Sequence, residues 1–71
     1  MSVEPIQNVV FEPLAVDTET AARLLGLSVS TVREHVRRHD LVPHYSGTKP
    51  VFLVDELKSF LASLPDEPRH Q

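Results

Sequence analysis

Asp17-Thr18-Glu19-Thr20-Ala21-Ala22-Arg23-Leu24-Leu25-Gly26-Leu27-Ser28-Val29-Ser30-Thr31-Val32-Arg33-Glu34-His35-Val36-Arg37-Arg38 is punctuated as two short helices with almost nothing between them. Asp17 is a favoured N-cap, Val16 before it can act as a hydrophobic staple, and Glu19 complements the helix dipole. The Ala- and Leu-rich run from Thr18 to Leu25 ends at Gly26, the residue type that most readily follows a helix in the left-handed conformation. Only Gly26 and Leu27 precede Ser28, a second N-cap, after which residues 29–38 read as the next helix. Two short helices joined by a glycine-containing turn of this length describe a helix-turn-helix.

The second helix divides into faces. At about 100° per residue, Val32 and Val36 lie on one side, with Val29, His35 and His39 at its edges. Ser30, Glu34, Arg37 and Arg38 point the other way, and Thr31 and Arg33 fall between. One face is expected to pack and the other to stay free for a ligand.

Working outward, Pro5 and Pro13 interrupt any helix in residues 1–13, which are expected to form a partly ordered arm. Val9-Val10-Phe11 is the candidate short strand within it. Beyond Asp40, Pro43 blocks a helix, so Leu41 to Ser46 reads as extended. Gly47-Thr48-Lys49-Pro50 reads as a turn and Val51 to Val54 as the return strand of a hairpin. Pro50 lacks a ladder donor and belongs at the turn or an edge. Tyr45 and Phe52 are candidates for stacking on a ligand, but on a hairpin this short they are expected as core or lid residues. A third helix is predicted over residues 55–64, with Leu57, Phe60, Leu61 and Leu64 on one core face. Pro65-Asp66-Glu67-Pro68 stops it, leaving 65–71 as a flexible tail. The predicted architecture is mostly α with a small β-hairpin, a winged helix-turn-helix over residues 14–64.

Composition narrows the function. The 71 residues suffice for one small domain, whose core is thin because a chain this short buries only about 60% of its unfolded surface. There is no Cys, which excludes disulfides and thiolate metal sites and suits a reducing compartment. No apolar run approaches the roughly 20 residues of a membrane span, and Glu4 without an early Lys or Arg argues against a secretory signal. A cytoplasmic location, without membrane association, is expected. The net charge is −3, yet it is unevenly spread. Residues 1–19 carry Glu4, Glu12, Asp17 and Glu19 with no cation, whereas residues 20–53 carry Arg23, Arg33, Arg37, Arg38 and Lys49 against Glu34 and Asp40. A phosphate responds to charge within about 8–10 Å rather than to the total. The central block is therefore compatible with a nucleic-acid partner.

Catalysis is not expected. Ser, His and Asp all occur, but no nucleophile turn or glycine-rich loop surrounds them, so neither an enzyme nor a cofactor is predicted. His35 and His39 stand four apart and His44 follows, which is metal-ligand spacing. Without thiolates or a spaced carboxylate cluster, structural or ligand-facing histidines are the expectation and no metal is assigned.

Thr20-Ala21-Ala22-Arg23-Leu24-Leu25-Gly26-Leu27-Ser28-Val29-Ser30-Thr31-Val32 resembles the helix-turn-helix of the excisionase and MerR-type DNA-binding families. Arg37-Arg38 is similar to their paired basic residues, Gly47-Thr48-Lys49 to their wing turn, and Asp55 to Leu61 to their closing helix. The chain departs from the pattern in three places. His35 stands where an apolar residue is usual, Asp40 where Gly is frequent, and Lys49 alone where wings often carry more cations. The resemblance implies a sequence-specific protein of bacterial or phage-infected cytoplasm that binds double-stranded DNA. Excisionases of this kind act as recombination directionality factors, binding and bending DNA for an integrase, often as adjacent, cooperatively associating copies. The alternatives are a small phage or bacterial transcriptional regulator using the same domain, and a protein-interaction module that binds no DNA.

On the DNA reading, Arg37, Arg38 and Lys49 would contact phosphates, the wing placing Lys49 and Thr48 on the backbone or in the minor groove, with Ser28 and Thr31 supplying hydroxyl and helix N-terminal donors. Ser30, Arg33 and Glu34 are the candidates for base edges, since Arg can bridge guanine O6 and N7 and Glu can accept from cytosine N4. The competing account is a solvated face on which Glu34 pairs with Arg38 one turn on.

Overall fold

The computed structural model describes residues 13–68, in the order β1 (Ala15–Val16), α1 (Thr18–Leu25), α2 (Val29–Arg37), β2 (His44–Ser46), β3 (Lys49–Leu53) and α3 (Val54–Ala62). Val9-Val10-Phe11 and the last three residues lie outside the described part. The architecture is a winged helix-turn-helix, three helices with a small antiparallel sheet.

Local chemistry sets the first two helices. Asp17 Oδ1 accepts from the Thr20 backbone N–H at 2.9 Å and opens α1. Ser28 Oγ accepts from the Thr31 N–H at 3.1 Å and opens α2. Each cap satisfies a donor that the first turn would otherwise leave unpaired. Gly26 ends α1 at φ 73° and makes the turn between the helices.

The third helix starts without a side-chain cap. Its N-cap position is Leu53, the last residue of β3, so strand passes into helix with no loop. The Val54 N–H donates instead to the Leu14 carbonyl at 2.9 Å, just before β1. Asp55 and Glu56 in the first turn offset the dipole. The segment before α1 thus does for α3 what a Ser or Asp cap would do.

The sheet order is β1-β3-β2, with Ala15 opposite Leu53 and His44 opposite Val51. The strand β1 is additional to the predicted hairpin. Two residues give too short an alternation to be read, and β1 exists only because β3 lies beside it. The hairpin also closes more tightly than predicted. Lys49 and Pro50 belong to β3, and the turn is Gly47-Thr48 alone. Gly47 sits at φ 66°, while Thr48 keeps an ordinary negative φ. Glycine first and a side-chain-bearing residue second is the pattern of a type II′ turn, whose twist suits a two-residue hairpin. Ser46 and Lys49 close it, so Tyr45 opposite Pro50 is the next pair, one whose backbone groups point away from the partner strand. A proline costs no ladder hydrogen bond there. The extended segment is shorter too, since Leu41 is buried in irregular backbone and only His44 to Ser46 pair.

Val16, Ala21, Ala22, Leu25, Val32, Leu41, Phe52, Leu57 and Phe60 form one core. Val32 is wholly inaccessible and pins α2 to the rest. Two expected core residues are not there. Leu64 is 40% exposed because α3 ends before it, at Ala62, and Leu61, though inside the helix, is 43% exposed because it faces an open groove beside Leu24. Among the described residues no helix is long and apolar enough to cross a membrane.

Candidate nucleic-acid interface

The exposed side of α2 collects most of the residues singled out from sequence. Ser28, Ser30, Arg33 and Arg37 are exposed, Thr31 and Glu34 half-buried, and Val29 and Val36 pack against the core behind them. Burial of Val32 fixes the rotation of the helix, so this face cannot turn inward without opening the core.

The hydroxyls at the helix start are already engaged. Ser28 Oγ and Thr31 Oγ1 lie 2.9 Å apart, and Ser28 also holds the Thr31 N–H. Their primary task is capping. Ser30 carries the one hydroxyl of this turn with no partner among the described residues.

The cations divide into two sets. Arg37 pairs with Glu34 one turn earlier, both partly exposed, rather than Glu34 with Arg38 as the spacing suggested. Arg38 is the C-cap residue and turns to Asp40, with 3.4 Å between Nη2 and Oδ2. Its surroundings are His35, Phe60 and the end of α3, away from the hairpin. Arg33 and Lys49 make no ion pair among the described residues. Both border one open recess with Asp17, Thr18, Glu19 and Pro50, at the start of α1. Sequence alone grouped Arg37, Arg38 and Lys49. The fold instead groups Arg33 with Lys49 and sets Arg38 apart.

The Asp17 carboxyl sits below its ordinary range, chiefly because the Thr20 backbone N–H and hydroxyl bond to it, with Lys49 and Arg23 adding attraction. Lys49 is therefore within electrostatic reach of the α1 N-terminus.

The wing is braced at its base. Glu56, in the first turn of α3, accepts from His44 Nε2 at 3.1 Å. His35 accompanies α2 into the core edge, where its ring meets Phe60 edge-on at 4.9 Å between centroids and an interplanar angle of 67°. Asp40 Oδ2 accepts from His35 Nδ1 at 2.9 Å. This bond, followed by those from Arg38, holds the Asp40 carboxyl below the usual carboxylate range. His35 and His44 thus point to different carboxylates, and His39 lies past the end of the helix. No group of three or more His, Cys, Asp or Glu able to hold a metal ion occurs among the described residues.

One aromatic residue departs from expectation. Phe52 is buried, but Tyr45 is 64% exposed rather than core. It lines a cleft between α2 and the hairpin with Arg33, Val36, Pro43 and Pro50. Strand alternation was the available signal. Pro50 and Phe52 share a face of β3, and Tyr45 stands across from Pro50 nearer the tip, beyond the reach of the core.

A family described as "Helix-turn-helix domain" matches residues 15–65, spanning every described element. No curated protein and no solved structure shows a match.

Proposed function

The chain belongs to the helix-turn-helix domain family, a DNA-binding kind of domain, and from that premise we propose that it is a sequence-specific binder of double-stranded DNA in the manner of an excisionase. On this reading α2 lies in the major groove, with its N-terminal turns toward the bases and the hairpin straddling the backbone. The carrying observation is the exposed face of α2, with Arg33 beside Lys49 of the wing and neither in an ion pair among the described residues.

The roles follow from each side chain's freedom. Arg33 and Ser30 are the base readers, being exposed and uncommitted. Lys49, with Thr48 at the turn, takes a phosphate. Arg37 takes another by exchanging Glu34 for it, after which Glu34 is free to accept from a cytosine amine. Arg38 is a weaker backbone contact, because Asp40 competes for it. Ser28 and Thr31 contribute through the backbone donors of the helix start more than through their tied hydroxyls.

Few free cations and a net charge of −3 make each copy a weak, salt-sensitive binder. Cooperation between adjacent copies, or with an integrase, would supply the remaining affinity, which favours the excisionase role over a solitary regulator. Leu24 and Leu61 line an apolar groove between α1 and α3 to which α2 and the wing contribute nothing. Copies seated side by side could bury it without obstructing the DNA face.

Binding to labelled duplex fragments, followed by anisotropy at low and moderate salt, tests the reading. Arg37→Ala should weaken all sequences alike and reduce the salt slope by about 1. Arg33→Ala should lose about 1–3 kcal/mol of discrimination at one base pair. Negligible affinity at low salt for every fragment would overturn DNA binding in favour of a protein-interaction role.

A further inference from the structure

Tyr45 is the single tyrosine of a chain without tryptophan, and it stands 64% exposed between the wing and the recognition helix. An exposed aromatic ring on a two-residue hairpin contributes little to the core, which Phe52 already fills from the same face of the sheet. Its neighbours across the cleft are mostly apolar, with Thr18 as the uncharged polar exception. Pro43, Pro50 and Val36 make an apolar wall, and Arg33 provides a cation at the rim. Arg33 and Pro50 also border the recess where Lys49 stands with Asp17 and Glu19, so the apolar cleft adjoins a recess of mixed charge.

An apolar wall beside two cations that make no ion pair among the described residues matches the alternation of a nucleic-acid backbone, in which each anionic phosphate is flanked by a sugar with an apolar face. We infer that Tyr45 is a DNA-contacting residue whose ring packs on a deoxyribose while Lys49 takes the neighbouring phosphate and Arg33, at the rim of the cleft, reaches past the sugar to the base. This rests on the DNA-binding role proposed above and adds to it a contact that carries no charge. The cleft measures about 170 Å³, room enough for one sugar ring against its apolar wall. Because the ring rides on the wing and not on α2, the contact adds affinity and register without reading sequence.

The experiment uses the full chain, Tyr45→Ala and Tyr45→Phe, with two duplexes, one carrying the preferred site and one of scrambled sequence. Tyr45→Ala should bind both about tenfold more weakly with an unchanged salt slope, since an apolar contact is lost and no phosphate contact. Tyr45→Phe should retain nearly full affinity, because the ring face carries the contact. In the wild-type protein, tyrosine fluorescence should become shielded from acrylamide when DNA is added, with a midpoint matching the anisotropy titration. A thermal melt separates lost folding from lost contact, and Tyr45→Phe together with the wild-type shielding decides the matter if Tyr45→Ala is unfolded. Undiminished binding by Tyr45→Ala, or a loss confined to one sequence, would overturn the sugar contact while leaving DNA binding intact. If the wild-type protein binds neither duplex, the DNA role itself fails and this contact with it.

Discussion

Both α1 and α2 end on a residue in the left-handed conformation, Gly26 at φ 73° and His39 at φ 66°, and both recycle their last carbonyls in the same way. The Leu27 N–H donates to the Ala22 carbonyl at 2.9 Å and the Gly26 N–H to Arg23 at 3.2 Å. After α2, the Asp40 N–H donates to His35 at 2.8 Å and the His39 N–H to Val36 at 3.0 Å. Each pattern is a Schellman motif, normally completed by an apolar contact between the first and last residues of the loop. At α1 that contact is present in kind, since Leu27 packs against the core that contains Ala22. At α2 its place is taken by His35 and Asp40, bonded side chain to side chain at 2.9 Å. One helix end is specified by a residue that is free to turn. The other is specified by a pair that holds a reluctant residue in the turn.

The comparison breaks most visibly at Gly26. A Cβ added there would meet nothing within 4 Å, so a substitution is opposed by backbone conformation alone. Gly26→Val should therefore lower stability by about 2 kcal/mol, the upper end for a left-handed residue because the side chain is β-branched. Urea unfolding measures it, and an unchanged midpoint would mean that α1 does not depend on this conformation. His39→Gly should act in the opposite direction. Relief of about 1–2 kcal/mol of left-handed cost, less about 0.5–1 kcal/mol for the freedom of glycine in the unfolded chain, leaves a gain of about 0.5–1 kcal/mol. A loss on making that substitution would show that the His39 side chain itself stabilises the loop.

The same contrast explains what could be read in advance. Asp17, Gly26 and Ser28 act through neighbours within three residues, so the first two helices and the turn between them were visible in the chain, and with them the face of α2. Features that need a distant partner were not. His39 signals nothing until the His35–Asp40 bond is seen, and β1 is two residues that pair only because β3 runs beside them. Leu61 and Leu64 fit the apolar period of α3, but Leu64 lies past the end of that helix and Leu61 faces a groove beside α1 that nothing among the described residues fills. The grouping of Arg33 with Lys49, and the exposure of Tyr45, arise from the tilt of the wing against α2. No spacing along the chain contains that tilt.

The smallest effect sharpens the contrast chemically, because only the α2 end depends on an ionised group. The Asp40 carboxyl is held below its ordinary value of 3.8, first by the His35 bond and then by Arg38. A depressed folded value means that the carboxylate stabilises the protein fully above the ordinary range and ceases to do so as pH falls through the depressed one. Asp40→Asn keeps an acceptor for His35 but does not titrate. Wild type should be more stable than Asp40→Asn at pH 6, and the difference should shrink as pH falls below the ordinary carboxylate value of 3.8. The Gly26→Val penalty, which involves no ionisable group, should stay constant over the same range. Chemical denaturation of the three proteins at several pH values gives both curves. The absence of any gap for Asp40→Asn across this range would show that the loop after α2, like the loop after α1, is held by its backbone alone.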